Sequence, residues 1–271
     1  MATTTPGRAG ELSAFTGVAR QLDHFVTLYR RTWRATAVSS FVSPLFYVLA
    51  MGVLLGSYIH VPPSQLEGAS SYLAFIVPGL VASQAMTTGI QQTTYPVMSA
   101  IKWQRTFHAQ LATPLEVRDL TNAFLLFVMF RVASTCGVFL LVMAPFGVFS
   151  TWWGAVLAWP ACVLTGMAFG TVVFAFSART RSEEAFGLLF RLCLVPMFLF
   201  SGAFFPVSNL GPVLELAAKV TPLWQGVSLT RMLCLDTIDG PTALVNVLYL
   251  VVMTAVGWVL AVRLLGRRLE S

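Results

Sequence analysis

From Val132 to Ala178 the sequence carries no Asp, Glu, Lys or Arg. One helix needs only about 20 apolar residues to cross a bilayer, and this uncharged stretch is roughly twice that. It has to fold back on itself. Pro145, Phe146 and Gly147, followed by the Trp152–Trp153 pair, supply the place. Proline ends helices, and tryptophan settles at the membrane–water boundary. The run is therefore read as most of one span near 121–144, which also contains Arg131, and the whole of a second near 153–176. Spans of this length are helical, because a backbone in hydrocarbon must satisfy its own polar groups.

The rest of the chain obeys the same solvent. It is 56% hydrophobic and 10% charged, whereas a soluble domain is about 25% charged. Further spans are expected near 36–59, 72–95, 185–205 and 242–264, which makes six in an all-α membrane protein. Pro44 is tolerable within the first if neighbouring groups satisfy the freed carbonyl. Basic residues orient the spans. Arg8, Arg20, Arg30, Arg31 and Arg34 precede the first span. Lys102, Arg105 and Arg118 fall between the second and third, Arg179 and Arg181 between the fourth and fifth, and Arg263, Arg267 and Arg268 at the C-terminus. The opposite side holds only Lys219 and Arg231. Both termini are thus expected in the cytoplasm of a multi-pass plasma-membrane protein. Residues 1–34 form a cytoplasmic tail and 35–271 the transmembrane domain. Residues 1–14 contain no apolar core of a cleaved signal peptide, so the first span is expected to serve as the insertion signal.

Three segments outside regular spans have their own logic. Phe15, Val18, Leu22, Phe25, Val26, Tyr29 and Trp33 recur at helical spacing, with Arg20, Asp23, Thr27, Arg30, Arg31 and Arg34 on other faces. This predicts an amphipathic helix lying in the headgroup plane, as a lipid anchor, a partner-docking surface or both. Between spans five and six, Pro206, Gly211, Pro212 and Pro222 cut residues 200–234 into pieces too short to span and too apolar for a free loop. They are read as a re-entrant helix pair, one near 210–220 with Glu215 and Lys219 at i,i+4 and one near 223–235; the alternative is a hairpin lying on the surface. The third segment, Gln104–Leu120, is a short polar helix among greasy runs. Thr106 is placed to cap it and Pro114 to end it. Phe107 and Leu111 would form one apolar ridge, with Gln104, Arg105 and His108 as polar neighbours. That ridge seats either in a partner's cleft or against the chain's own bundle.

Several function classes drop out. The basic residues cluster at the ends of apolar runs with no basic face, so nucleic acid is not expected as a partner. Cys136, Cys162, Cys193 and Cys234 are far apart and read mainly as packing residues, and His24, His60 and His108 show no metal-ligand spacing. No G-x-x-x-x-G-K-[ST] phosphate loop occurs. No nucleotide is therefore expected on this chain. An ion-coupled carrier would want ionisable residues at mid-membrane, but only Arg131 and Arg191 fall within spans, toward one end, and no internal repeat is evident. A membrane enzyme acting on lipid-linked substrates fares worse. The adjacent Glu183 and Glu184 point about 100° apart on a helix and cannot address one reacting bond.

The runs FLFSGAFFPVSNL and TPLWQGVSLTR, the stretch YLAFIVPGLVASQAM at 72–86, and QRTFHAQLATPL resemble the corresponding segments of ABC-2 type transporter permeases. The likeness covers essentially the whole chain. It is nearest to the nodulation J branch, which exports lipo-oligosaccharides, and to daunorubicin-type drug exporters. The resemblance implies a six-span permease working as a dimer, with itself or a related permease, beside two copies of a separate cytoplasmic ATPase that binds ATP and magnesium. It implies export of a lipid, glycolipid, polysaccharide precursor or hydrophobic drug by alternating access. Under it, Gln104, Arg105, Thr106, Phe107, His108 and Leu111 form a helix that couples to the ATPase. The N-terminal helix, with Phe15, Leu22, Phe25, Tyr29, Arg30, Arg31, Trp33 and Arg34, braces that junction. Span five, with Met197, Phe198, Phe204 and Phe205, faces the cargo path along with span two. Arg131 and Arg191 would meet anionic headgroups, snorkel to the interface, or pair with Glu183 or Glu184 on a neighbouring helix, and Gly202 would let two protomers approach.

Overall fold

The computed structural model describes residues 68–269 and the separate positions 42, 45, 46 and 50. The expected N-terminal interfacial helix at 15–34 lies outside the described residues, as does the first span apart from those four positions. Every regular element among the described residues is helical. Four helices are long and apolar enough to cross a membrane: α1 Tyr72–Trp103, α3 Val117–Phe146, α4 Trp152–Arg179 and α9 Gly240–Leu269. They fall on the spans expected near 72–95, 121–144, 153–176 and 242–264. Between them lie α2 Thr106–Leu111, α5 Glu184–Leu188, α6 Val195–Leu199, α7 Pro212–Val220 and α8 Pro222–Leu235.

The boundaries follow local chemistry. Ser71 opens α1, its Oγ accepting from the Ala74 N–H at 3.1 Å, and Thr151 opens α4 by accepting from Gly154. Glu116 and Asp119 form a reciprocal capping box at the start of α3, satisfying two of the donors a helix start leaves open. Pro96 disturbs the lower part of α1. The regular helix Tyr72–Thr93 gives way at Thr94 (φ −86°, ψ −95°), resumes at Tyr95–Met98 and closes as a π-helix over Ser99–Trp103.

The fifth span differs from expectation. A continuous helix near 185–205 was predicted; the helical course is α5, a π-helical stretch Leu189–Leu194 and α6, ending at Leu199. At 1.5 Å per residue this rises roughly 24 Å, short of the ~30 Å hydrocarbon core. Its end is a built turn. The Ser201 hydroxyl donates to the Phe198 carbonyl at 2.8 Å, and Gly202 takes φ +77°, a conformation that side chains disfavour. Gly202 is buried inside the chain's own fold, and a Cβ there would meet Val207 at 3.0 Å. It shapes this turn, which is a different reason for glycine than contact between protomers. The two short helices expected in 200–234 are present as α7 and α8, and Glu215 and Lys219 pair at 2.6 Å.

α4 is the central helix, packed by α1, α3, α8 and α9. Small residues permit this: a Cβ on Gly89 would stand 2.3 Å from the Gly166 carbonyl oxygen, so α1 and α4 touch backbone to backbone. Beneath that crossing Phe124 of α3 meets Phe174 of α4 edge-on at 5.4 Å. The alternating course of the helices gathers the basic segments at one end. Arg118, Arg263 and Arg267 border one cavity there and Arg179, Arg181, Arg267 and Arg268 another, while Lys102 pairs with Glu183 at 3.8 Å.

Candidate functional site

A groove of about 270 Å³ runs between α1 and the α5–α6 course, lined by Leu80, Ser83, Gln84, Met86 and Thr87 on one side and Phe190, Leu194, Val195 and Phe198 on the other. One wall is wholly apolar. The other carries a polar edge: Gln84 and Thr87, continued along the same helix face by Gln91, at steps of three and four. The hydroxyls of Ser83 and Thr87 donate back to the carbonyls of Gly79 (2.8 Å) and Ser83 (2.9 Å), which lets them sit in hydrocarbon. The Gln84 amide reaches the Thr88 hydroxyl at 3.4 Å. The arrangement accommodates a molecule with a greasy body and a hydrogen-bonding group.

Of the residues expected along a path, Phe198 lines this groove. Met197 and Phe204 pack into the cluster behind it, with Phe198 and Phe204 edge-on at 5.0 Å, and Phe205 is half-buried in the turn. Arg131, half-buried on α3, and Arg191, exposed on the π-helical stretch, do not line it. The polar edge was visible in the sequence as Gln84, Thr87 and Gln91 at helical spacing, and its periodicity is the signal that finds it.

The helix expected to couple to a partner is present as α2, with two corrections. Thr106 is not its cap: Arg105 holds that position with a left-handed backbone (φ 51°), and no side chain caps the helix. The Phe107–Leu111 ridge faces the chain's own bundle. Phe107 is 1% exposed and meets Phe124 edge-on at 5.9 Å, and Leu111 packs on the same core. A short helix beside a large apolar bundle buries its ridge there because that surface is already at hand. Gln104, Arg105 and His108 remain exposed and Thr106 half-buried.

Arg231 was counted only as a charge on the sparsely basic side. It is 7% exposed. Its Nη2 donates to the Gly202 carbonyl at 2.6 Å and its Nε to the Phe75 carbonyl at 3.4 Å, with the guanidinium 3.9 Å from the Phe75 ring centre. One side chain on α8 thus ties the turn after α6 to the start of α1.

A polytopic helical bundle with no strand among its described residues, short broken helices between its last two long ones, and an amphipathic groove is a membrane permease in outline. The comparisons make this specific. The ABC-2 type transporter profile matches residues 22–235, and the chain belongs to that family. Nodulation protein J of Sinorhizobium fredii is 28% identical over 92% of this chain and 95% of that protein. Nodulation protein J of Rhizobium leguminosarum bv. trifolii is 29% identical over 78% and 81%. Inner membrane transport permease YadH of Escherichia coli is 26% identical over 90% and 93%. No solved structure matches. The chain is a multi-pass membrane transport permease.

Proposed function

We propose that the chain is the transmembrane half of an ATP-driven exporter in a bacterial plasma membrane, with both termini cytoplasmic. Family membership implies an ABC ATPase as partner in general. In this reading two ATPase copies sit beneath a permease dimer, formed with a second copy or a related permease, and supply the ATP and magnesium site. The cargo is an amphiphile: a lipid, a glycolipid, a polysaccharide precursor or a hydrophobic drug. The observation that carries the reading is the groove, whose apolar wall (Phe190, Leu194, Val195, Phe198) opposes a hydrogen-bonding edge (Ser83, Gln84, Thr87) in a chain of this family. Coupling falls to the exposed Gln104, Arg105 and His108 of the α2 segment, while Phe107 and Leu111 brace that helix from behind. In this reading the interfacial helix expected from the sequence at 15–34 braces the same junction.

The test is co-purification followed by reconstitution. A phosphate-loop ATPase encoded beside this chain is expected to co-purify with it, and the pair in vesicles is expected to hydrolyse ATP faster when a lipid-linked or drug cargo is supplied. R105A/H108A is expected to keep the permease folded and abolish that stimulation. Cargo movement driven by an ion gradient with no ATPase present would refute the reading.

A further inference from the structure

Away from the groove, four arginines converge at the end of α4. Arg179 is its last residue and Arg181 lies just beyond; with Arg267 and Arg268 of α9 they line one cavity of about 450 Å³, completed by Ala178 and Leu264. Leu264, Arg267 and Arg268 share a face of α9 through i,i+3 and i,i+4 spacing. Arg268 is held in place: its Nη1 donates to the Ala178 carbonyl at 3.0 Å and to the Thr180 carbonyl, satisfying acceptors that the end of α4 would otherwise leave open. Arg179, Arg181 and Arg267 are exposed, and none of the three is paired with a carboxylate among the described residues. The nearby Glu183 turns to Lys102 instead.

Two ordinary reasons for arginine apply here, and neither explains the convergence. Topology asks only that cations lie on this side of the membrane. The helix dipole favours a cation in the last turn of α4. Neither asks Arg179, Arg181 and Arg267, unpaired with a carboxylate among the described residues, to face one cavity beside Arg268. We propose that this cavity is a phosphate site, taking either the headgroup phosphate of an anionic phospholipid or a small soluble phosphate. Guanidinium forks match phosphate oxygens two at a time. The cavity lies within the ~300–1,000 Å³ of ligand pockets. Ala178 and Leu264 offer apolar contact to the carbons beside a headgroup. Basic pockets between helices at the cytoplasmic boundary recognise anionic lipid in this way.

The test uses the full chain in uncharged detergent and reads binding as thermal stabilisation, so it needs neither cargo nor ATPase and is independent of the transport reading. The probes are phosphatidylglycerol, phosphatidylcholine, and inorganic phosphate against chloride at equal ionic strength. Phosphatidylglycerol is expected to stabilise the wild type and phosphatidylcholine not. R179Q/R181Q/R267Q, which leaves Arg268 in place, is expected to need roughly 100-fold more phosphatidylglycerol, about fivefold per arginine removed. Stabilisation by phosphatidylglycerol alone assigns the site to lipid. Equal stabilisation by millimolar inorganic phosphate, lost in the variant, assigns it to a soluble phosphate. Should the glutamine variant fail to fold, R179K/R181K/R267K keeps the charge and removes the forks, and a loss of about tenfold or more supports the site. The proposal is overturned if neither probe stabilises the wild type, or if the folded variant responds as the wild type does.

Discussion

Replacing Arg231 by methionine, which is close in length and apolar, tests whether one buried guanidinium holds the outlet of the α5–α6 course onto α1. The Gly202 bond at 2.6 Å is charge-assisted, and such bonds contribute about 1.5–3 kcal/mol. The guanidinium over Phe75 at 3.9 Å adds up to about 2 kcal/mol when desolvated. Against these stands the cost of burying a cation, which methionine relieves. The Phe75 carbonyl lies inside α1 and has the ordinary helical acceptor role as well, so its bond at 3.4 Å adds little. The balance leaves roughly 1–3 kcal/mol. For a chain of this size each kcal/mol moves the melting point by about 2–4 °C, so R231M is expected to melt roughly 2–12 °C below wild type. A thiol-reactive dye reports the transition, because Cys136, Cys162 and Cys234 are buried and only Cys193 is exposed among the four cysteines. R231K keeps the charge without the planar fork and is expected to fall between. A cycle with F75L isolates the ring contact: the two substitutions are expected to couple by about 1–2 kcal/mol. If R231M melts within about 2 °C of wild type and is additive with F75L, Arg231 is not a clamp, and the turn is held by its own packing.

Three further outcomes follow from the packing. Phe107→Ala empties a fully buried site against Phe124 and is expected to cost about 3–5 kcal/mol, read as a lower melting point; an unchanged melt would put the ridge back on the partner side. Gly89→Ala sets a Cβ 2.3 Å from the Gly166 carbonyl oxygen, so the α1–α4 crossing must open. Such overpacking typically costs about 1–3 kcal/mol, and a monodisperse, fully stable variant on size exclusion and melting would contradict the close crossing. Q84L/T87V removes the polar edge of the groove where it faces an opening, so little stability is expected to change. The apparent cargo affinity in vesicles should fall by about tenfold, near the worth of one or two hydrogen bonds, and an unchanged affinity would mean that the cargo does not touch this edge.

Much of this was legible because hydrocarbon is a strict solvent. The uncharged run of Val132–Ala178 and the breaks at Pro145 and Trp152 place two helices with little ambiguity, and those helices occur as α3 and α4. The prolines at 206, 212 and 222 likewise placed α7 and α8. What was not legible depended on which surface each side chain meets. Phe107 and Leu111 at i,i+4 announce an apolar ridge but not its address, because periodicity says that a face is buried without saying against what. The same limit hid Arg231: counting charges by side of the membrane treats every arginine as solvated, while this one is satisfied by the Gly202 and Phe75 carbonyls and a ring. Gly202 shows the converse. A small residue in a span suggests a helix–helix contact, but the φ of +77° makes it the pivot of the turn that ends α6 early. Arg231 then lands on that pivot's carbonyl. The shortened helix, the left-handed glycine and the buried arginine are therefore one device, and a substitution at any of the three should disturb the same turn.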